Sequence, residues 1–237
     1  MSLRLGFDMD GVLADFRTAF EAAARGAAHL PAVTDPEEAA SEPLSTREIK
    51  RVWAAVKRTP NWWTKLSAYE PAQIARLYAI TRQLKWEVVF MTRRPETAGD
   101  PVQFQTQWWL ESHGFYLPAV VTVPGSRGDL ANALRLDMIV DDQLHNCVDI
   151  VGASSAKAIL LLRAQDQQAI RQHAINRGIG VVASLEDALD VLERAQEVLL
   201  ERRGRLNRLV DWFQTSAGRD DALPLKPAAP RPTPRDE

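Results

Sequence analysis

The sequence predicts an α/β fold: a Rossmann-like parallel sheet with helices on both faces, carrying a small helical insertion after the first strand. Three observations predict it. Short apolar runs recur along the chain, and several stop abruptly at acids, at threonine or at Pro-Gly. Helical patterns lie between the runs, and strands alternating with helices argue for a parallel sheet. One stretch, from about residue 14 to 79, breaks the alternation and reads as helices alone.

The elements follow in order. Leu3 to Phe7 is a mostly apolar run that ends in acids and Gly11, as suits a buried strand closing in a tight turn. In the insertion, Ser45 with Glu48 forms a capping-box pattern, and Ile49, Val52, Trp53 and Val56 then recur at helical spacing. Ile74, Leu77, Tyr78 and Leu84 make another stripe. A parallel crossover needs one helix, so this longer segment is expected to form a subdomain over the exit of the first strand. Val88 to Met91 is the second strand, followed at once by Thr92. Asp100–Pro101 opens a helix, with the acid as cap, that should run through Trp108 and Trp109 to His113–Gly114. Val120 to Val123 is closed by Pro124–Gly125, and Ser126 with Asp129 starts a short helix. Met138 to Val140 ends in Asp141–Asp142, Ile159 to Leu162 is a fifth run, and Val181–Val182 a short sixth. Ser184 with Asp187 opens a long helix bearing Leu185, Leu189, Leu192 and Leu199; after Gly204 a second stripe carries Leu206, Leu209, Val210 and Phe213. The expected organisation is a catalytic core over 1–13 and 80–195, a helical cap over 14–79, a C-terminal helical extension over 196–218, and a disordered proline-rich tail over 219–237.

The bulk numbers set bounds. With 46% hydrophobic and 25% charged residues and a formal net charge of −2, the chain reads as a soluble globular protein with no broad nucleic-acid or membrane footprint. The one cysteine, Cys147, can make no internal disulfide. The beginning MSLRLGFDMDG carries acids and no long apolar region, so it does not read as a signal peptide. The expected location is the cytoplasm.

The chemistry is anchored in Asp8-Met9-Asp10-Gly11-Val12-Leu13. At average usage an Asp-x-Asp pair alone arises by chance roughly once in every two chains of this size; the added Gly, Val and Leu bring that to well under about one in a thousand. Both acids also sit past the carboxyl end of a buried strand, where open α/β sheets bind ligands. FDMDGVLADF resembles the first motif of phosphatases of the haloacid dehalogenase (HAD) superfamily. VFMTRR with Thr92 resembles the second, Ser126-Arg127-Gly128-Asp129 the third, with Arg where many members carry Lys, and MIVDD with Asp141 and Asp142 the fourth. All four occur in order over about residues 1 to 145.

The resemblance implies a Mg²⁺-dependent phosphomonoester hydrolase acting through an aspartyl-phosphate. Asp8 is then the nucleophile, and Asp10 protonates the leaving oxygen and afterwards activates water. Thr92 and nearby backbone N–H groups hold the transferring oxygens, and Arg127 neutralises charge on the nucleophile and the bound phosphate. Asp8, the Asp10 main-chain carbonyl and one of Asp141 and Asp142 hold Mg²⁺, with Asp141 the slightly favoured ligand. Elementary electrostatics agrees: at about 5 Å and an effective dielectric near 20, each pair of like charges costs roughly 3 kcal/mol, so a pocket of acids that takes a phosphate dianion needs cations.

Each residue also has a bland reading. Thr92 could end a strand, Arg127 could be an exposed helix start, and Asp141–Asp142 could cap a turn. Arg93 and Arg94 either bind a second anionic group of the substrate or are solvated. The helical insertion, with Pro60 to Leu66 inside it, resembles the cap of 5′(3′)-deoxyribonucleotidases, which implies a nucleoside monophosphate contacted by Trp62 and Trp63; the same tryptophans could be core. A phosphatase of a small sugar or metabolite phosphate is the rival enzyme, and a catalytically silent interaction protein the rival from another class. Asp10 argues against a dehalogenase, which needs no acid for an oxygen leaving group. The expected partner is a small phosphorylated substrate, with no nucleic-acid polymer and no membrane; a homo-oligomer stays open.

Overall fold

Among the described residues six strands form one sheet: β1 (Arg4–Asp8), β2 (Glu87–Thr92), β3 (Ala119–Thr122), β4 (Met138–Asp141), β5 (Lys157–Leu161) and β6 (Gly180–Val182). The structure, a computed structural model, describes residues 2–28, 45–163 and 167–217. The middle of the expected cap and the expected proline-rich tail lie outside the described residues. The strand order is β3-β2-β1-β4-β5-β6 and every pairing is parallel. The chain runs outward from β1 through β2 to β3, then jumps back to the other side of β1. That reversal makes the crevice between β1 and β4 the switch point of the sheet.

Among the described residues eight helices accompany the strands: α1 (Phe16–Ala28), α2 (Thr46–Arg58), α3 (Pro71–Leu84), α4 (Val102–Ser112), α5 (Arg127–Leu134), α6 (Leu144–Ala153), α7 (Gln168–Ile175) and α8 (Leu185–Ala217). A short 3-10 helix covers Trp62–Lys65. Alternate residues of each strand face opposite ways, and this divides the core in two. Phe7, Phe90, Val140, Ile159 and Leu161 pack with Leu77 of α3, Trp109 of α4 and Leu189 of α8. Met91, Ile139, Ala158 and Leu160 pack with Ala131 of α5, Ile150 of α6 and Ala174 of α7. Both faces of the sheet are therefore covered, as its near-continuous apolar strands require.

Contacts divide the chain into two units, Met1–Glu193 and Arg194–Glu237. α8 begins in the first, with Leu185, Ala188, Leu189 and Leu192 fully buried. Its backbone continues unbroken through Gly204 to Ala217, so the two C-terminal stripes lie on one helix. A single glycine costs a helix only about 1 kcal/mol. Among the described residues no helix is long and apolar enough to cross a membrane.

The expected cap boundary at 79 moves. α3 is the β1–β2 crossover itself: Ile74, Leu77 and Ile80 are buried on the sheet, and Arg76 reaches Asp190 and Glu193 of α8, each at 2.6 Å. The inserted part is therefore α1, α2 and the 3-10 helix, ending near residue 70. The Ser45–Glu48 capping box forms at α2. At α4 the cap position falls to Pro101, because Asp100 is drawn into a reciprocal pair of hydrogen bonds with the Asn61 amide.

Glu70 locks the end of the insertion to the sheet. It accepts from Arg163 Nη1 at 2.6 Å and from the backbone N–H groups of Leu185 and Glu186 at the start of α8. Burial pushes its carboxyl up, but these donors outweigh it and hold it below its ordinary value of 4.5. Glu70→Gln should therefore lower stability at neutral pH by about 1–3 kcal/mol. A depressed carboxyl contributes above its unfolded pKa and loses that contribution as pH falls through the folded one. The gap between wild type and variant in chemical denaturation should thus close in acid; equal midpoints at pH 7 would disprove the lock.

Candidate active site

The switch point gathers the motif residues because each terminates a neighbouring strand. Asp8 ends β1, Thr92 ends β2 and Asp141 ends β4. Asp8 stands beside Met91 in the register, and Phe7 lies between Phe90 and Val140, so Asp8 and Asp141 leave the sheet at one level. Gly11 then turns the chain at φ 89°, a conformation that favours glycine. A Cβ there would lie 2.1 Å from Asp142 Oδ2, so the turn after β1 sits directly against the second acid of the Asp141–Asp142 pair. Arg163, stacked on Tyr69 at 4.2 Å, donates to the carbonyls of Gly11 and Val12 and holds the turn in place.

Arg127 comes in from the side on the first turn of α5. Ser126 caps that helix by accepting from Asp129 N. Asp149 of α6 accepts from Gly128 N at 3.0 Å and from Ser126 Oγ at 2.8 Å, and the Gly128 N–H keeps its carboxyl below the ordinary range. A Cβ on Gly128 would come within 2.4 Å of the Asp149 carbonyl oxygen. Glycine is needed there for α5 to press onto α6 and aim Arg127 at the sheet. The guanidinium is buried; its Nη2 donates to Asp8 Oδ1, and its Nε lies 3.6 Å from Asp141 Oδ2. Nε and Nη1 make no hydrogen bond to the protein. Buried guanidinium N–H groups are costly to leave without an acceptor, so Arg127 is preset for an anion.

Asp8, Asp141 and Asp142 each bring a carboxylate oxygen within 4.8 Å of the other two. Burial, then the charge of Asp141, raises Asp8 well above the usual carboxylate value, against the pull of Arg127. Burial also raises Asp141, although Arg127 and hydrogen bonds from Asn146 and Gln143 oppose it. Burial and Asp141 push Asp142 up to about 7. One arginine does not neutralise three crowded acids. A divalent cation would, and an all-oxygen donor set suits Mg²⁺ or Ca²⁺ rather than a thiophilic metal.

The two acids of the pair differ. Asp141 is fully buried and already accepts from Gln143 N and, on both oxygens, from Asn146 Nδ2. Asp142 is half-buried and faces a cavity of about 1180 Å³ that also takes in Asp8, Asp10 and Arg127. The Asp10 side chain stands outside the three-acid cluster and pairs with Arg94. Thr92 is buried and does not line the cavity; its hydroxyl accepts from Arg94 N at 3.3 Å. Arg93 is exposed at the cavity rim and donates to the Gly125 carbonyl.

The tryptophan expectation needs correction. Trp62 does not line the cavity; it borders a second, smaller pocket together with Ala19, Ala22 and Ala23 of α1. Trp63 lines the cavity yet is only 1% exposed, and its Nε1 donates to the Pro95 carbonyl. Successive residues of a 3-10 helix point about 120° apart, so adjacent tryptophans cannot share one wall. The more open aromatic wall is Phe16, Trp53 and Tyr69, each half-buried. The structure also brings in Arg94, Asn146 and Asp149, to which the sequence reading gives no definite role. A helical signal exists for Asn146, which lies five residues beyond Asp141 on the first turn of α6; none exists for Arg94.

A parallel sheet of order 3-2-1-4-5-6 with helices on both faces is a doubly wound α/β fold, here with buried acids at its switch point. No protein-family model matches the sequence, and no curated protein sequence does. Solved structures share the fold. A HAD-family hydrolase from Deinococcus radiodurans R1, with bound phosphate and sodium, is 12% identical over 82% of this chain and 96% of its own, with a TM-score of 0.52. A hydrolase from Pseudomonas syringae is 14% identical over 81% of this chain and 99% of its own, with a TM-score of 0.50.

Proposed function

We propose that the protein is a Mg²⁺-dependent phosphomonoester hydrolase. The observation that carries this reading is the meeting, at one switch point, of a buried carboxylate, a buried arginine with unused N–H groups and two further acids. Phosphate bound to the Deinococcus hydrolase of the same fold supports it. In the proposed reaction an Asp8 oxygen attacks phosphorus as the bond to the leaving oxygen breaks, and Asp10 supplies that oxygen's proton. Asp10 then takes a proton from the water that displaces phosphate from Asp8. The unused Arg127 N–H groups donate to the phosphoryl oxygens, where charge must be held through the transition state. Asp8, the Asp10 main-chain carbonyl and Asp142 would hold Mg²⁺, which supplies positive charge for nucleophile and phosphate. Asp141, fully buried and held on both oxygens by Asn146, orients Arg127. This moves the direct ligand from Asp141 to Asp142. A reducing cytoplasm suits the lone buried Cys147.

We infer further that α1, α2 and the 3-10 helix act as the substrate cap, and that the substrate is a (deoxy)nucleoside monophosphate. What supports this is the aromatic wall of Phe16, Trp53 and Tyr69 on the cavity that holds Asp8. Stacking of a base on an aromatic side chain is worth about 1–3 kcal/mol. Trp53→Ala should therefore cut kcat/KM for a nucleoside monophosphate by about tenfold to a hundredfold. Acetyl phosphate, too small to touch the wall, should be hydrolysed as before. A panel of nucleotides, sugar phosphates and acetyl phosphate reads the difference. Equal loss on all of them would favour a small sugar or metabolite phosphate.

A further inference from the structure

Arg94 is a buried charge at the cavity with partners on three sides. Its side chain is wholly buried, and its fork grips one carboxylate: Nε lies 3.1 and 3.0 Å from the two Asp10 oxygens, and Nη2 lies 2.7 Å from Oδ1. Nη1 donates to Thr106 Oγ1 at 3.1 Å, and that hydroxyl donates to the Val102 carbonyl in α4. The guanidinium lies over the Trp63 ring, 4.8 Å from its centroid. Trp63 is itself fixed by its indole N–H to Pro95 and by its backbone N–H to Gln105 Oε1. Asp10, by contrast, keeps 23% of its side chain exposed and makes no other side-chain hydrogen bond among those described.

We propose that Arg94 is a positioning residue that fixes the Asp10 carboxyl in its working orientation and ties it to the inserted helices through Trp63. An acid on a glycine turn has freedom to swing, and a proton donor works only within hydrogen-bond reach of the leaving oxygen. A two-pronged arginine removes that freedom; a lysine, with one point charge, does not. Because Arg94 is held by α4 on one side and Trp63 on the other, the orientation of Asp10 depends on the inserted segment being seated. The inference rests on the phosphatase reading.

Arg94→Met and Arg94→Lys, each alone and with Asp10→Asn, test it. Activity is measured with Mg²⁺ on an alkyl phosphate, whose leaving oxygen needs a proton, and on p-nitrophenyl phosphate, which leaves without one. Melting curves are recorded alongside. Positioning predicts that kcat/KM, which reports transfer to Asp8, falls about tenfold to a hundredfold on the alkyl phosphate in both variants. On p-nitrophenyl phosphate it should change less than about threefold, and in the Asp10→Asn background Arg94→Met should add nothing. Equal losses on both substrates, full rescue by Lys, or additive losses with Asp10→Asn would overturn the inference and leave the phosphatase reading standing. A wild-type protein inactive on both substrates would overturn that reading, and the inference with it.

Discussion

Asp8→Asn should lower turnover on every phosphate monoester by on the order of 10⁴-fold or more, because in the proposed reaction the Asp8 carboxylate is the group that takes the phosphoryl group. The loss should be chemical and not structural. Burial and the neighbouring Asp141 make the Asp8 carboxylate unfavourable in the folded protein without a cation. The amide removes that repulsion and keeps an oxygen for Arg127 Nη2. In chelator the variant should therefore melt no lower than wild type. A variant that loses activity only because it unfolds would fail this test, as would one that keeps near-native rates.

Trp63→Ala should have the largest effect on stability. The side chain is 1% exposed and packs on Phe16, Trp53 and Trp62, with ring centroids 6.0, 6.4 and 4.8 Å away. Removing a core tryptophan costs about 3–5 kcal/mol, and the Pro95 carbonyl also loses its donor. Chemical denaturation should show a loss of that size. Activity should fall on nucleotide and on acetyl phosphate as folded protein is lost, and further on the nucleotide, whose leaving oxygen relies on the Asp10 that Trp63 seats through Arg94; at Trp53 the acetyl phosphate loss is absent. A loss under about 1 kcal/mol would show that the ring is not the pin between the inserted helices and the β2–α4 loop.

What is legible in the sequence is local. Most strands announce themselves as apolar runs, and the first, second and fourth are cut off by a chemically distinct residue, which places Asp8, Thr92 and Asp141 at strand ends. The Ser126 cap puts Arg127 at a helix start, and the alternation of elements implies the parallel sheet. What is not legible depends on the approach of distant segments. Nothing near Arg94 says that it turns inward to Asp10 while Arg93 turns out to the rim; the β2–α4 loop and the Thr106 hydroxyl decide that. Trp62 and Trp63 look equivalent in sequence and are separated only by the twist of a 3-10 turn. The stripe of Ile74, Leu77 and Tyr78 signals a helix, as found, but not that the helix packs on the sheet, apart from the inserted helices. Hydrophobic periodicity tells that a face is buried and not against what. The unbroken course of α8 through Gly204 is hidden for a related reason: a glycine weakens a helix without ending it.

In the proposed reaction Asp8 carries the phosphoryl group during turnover with Mg²⁺. The most direct measurement is to mix excess enzyme with a monoester substrate, quench in acid during the first turnover, trap the acyl phosphate by borohydride reduction, and identify the modified residue by mass spectrometry. Modification is expected at Asp8 with Mg²⁺ present, and none in chelator or in Asp8→Asn. Substrate turnover in Mg²⁺ with Asp8 unmodified at every quench time, or undiminished turnover in chelator, would contradict it.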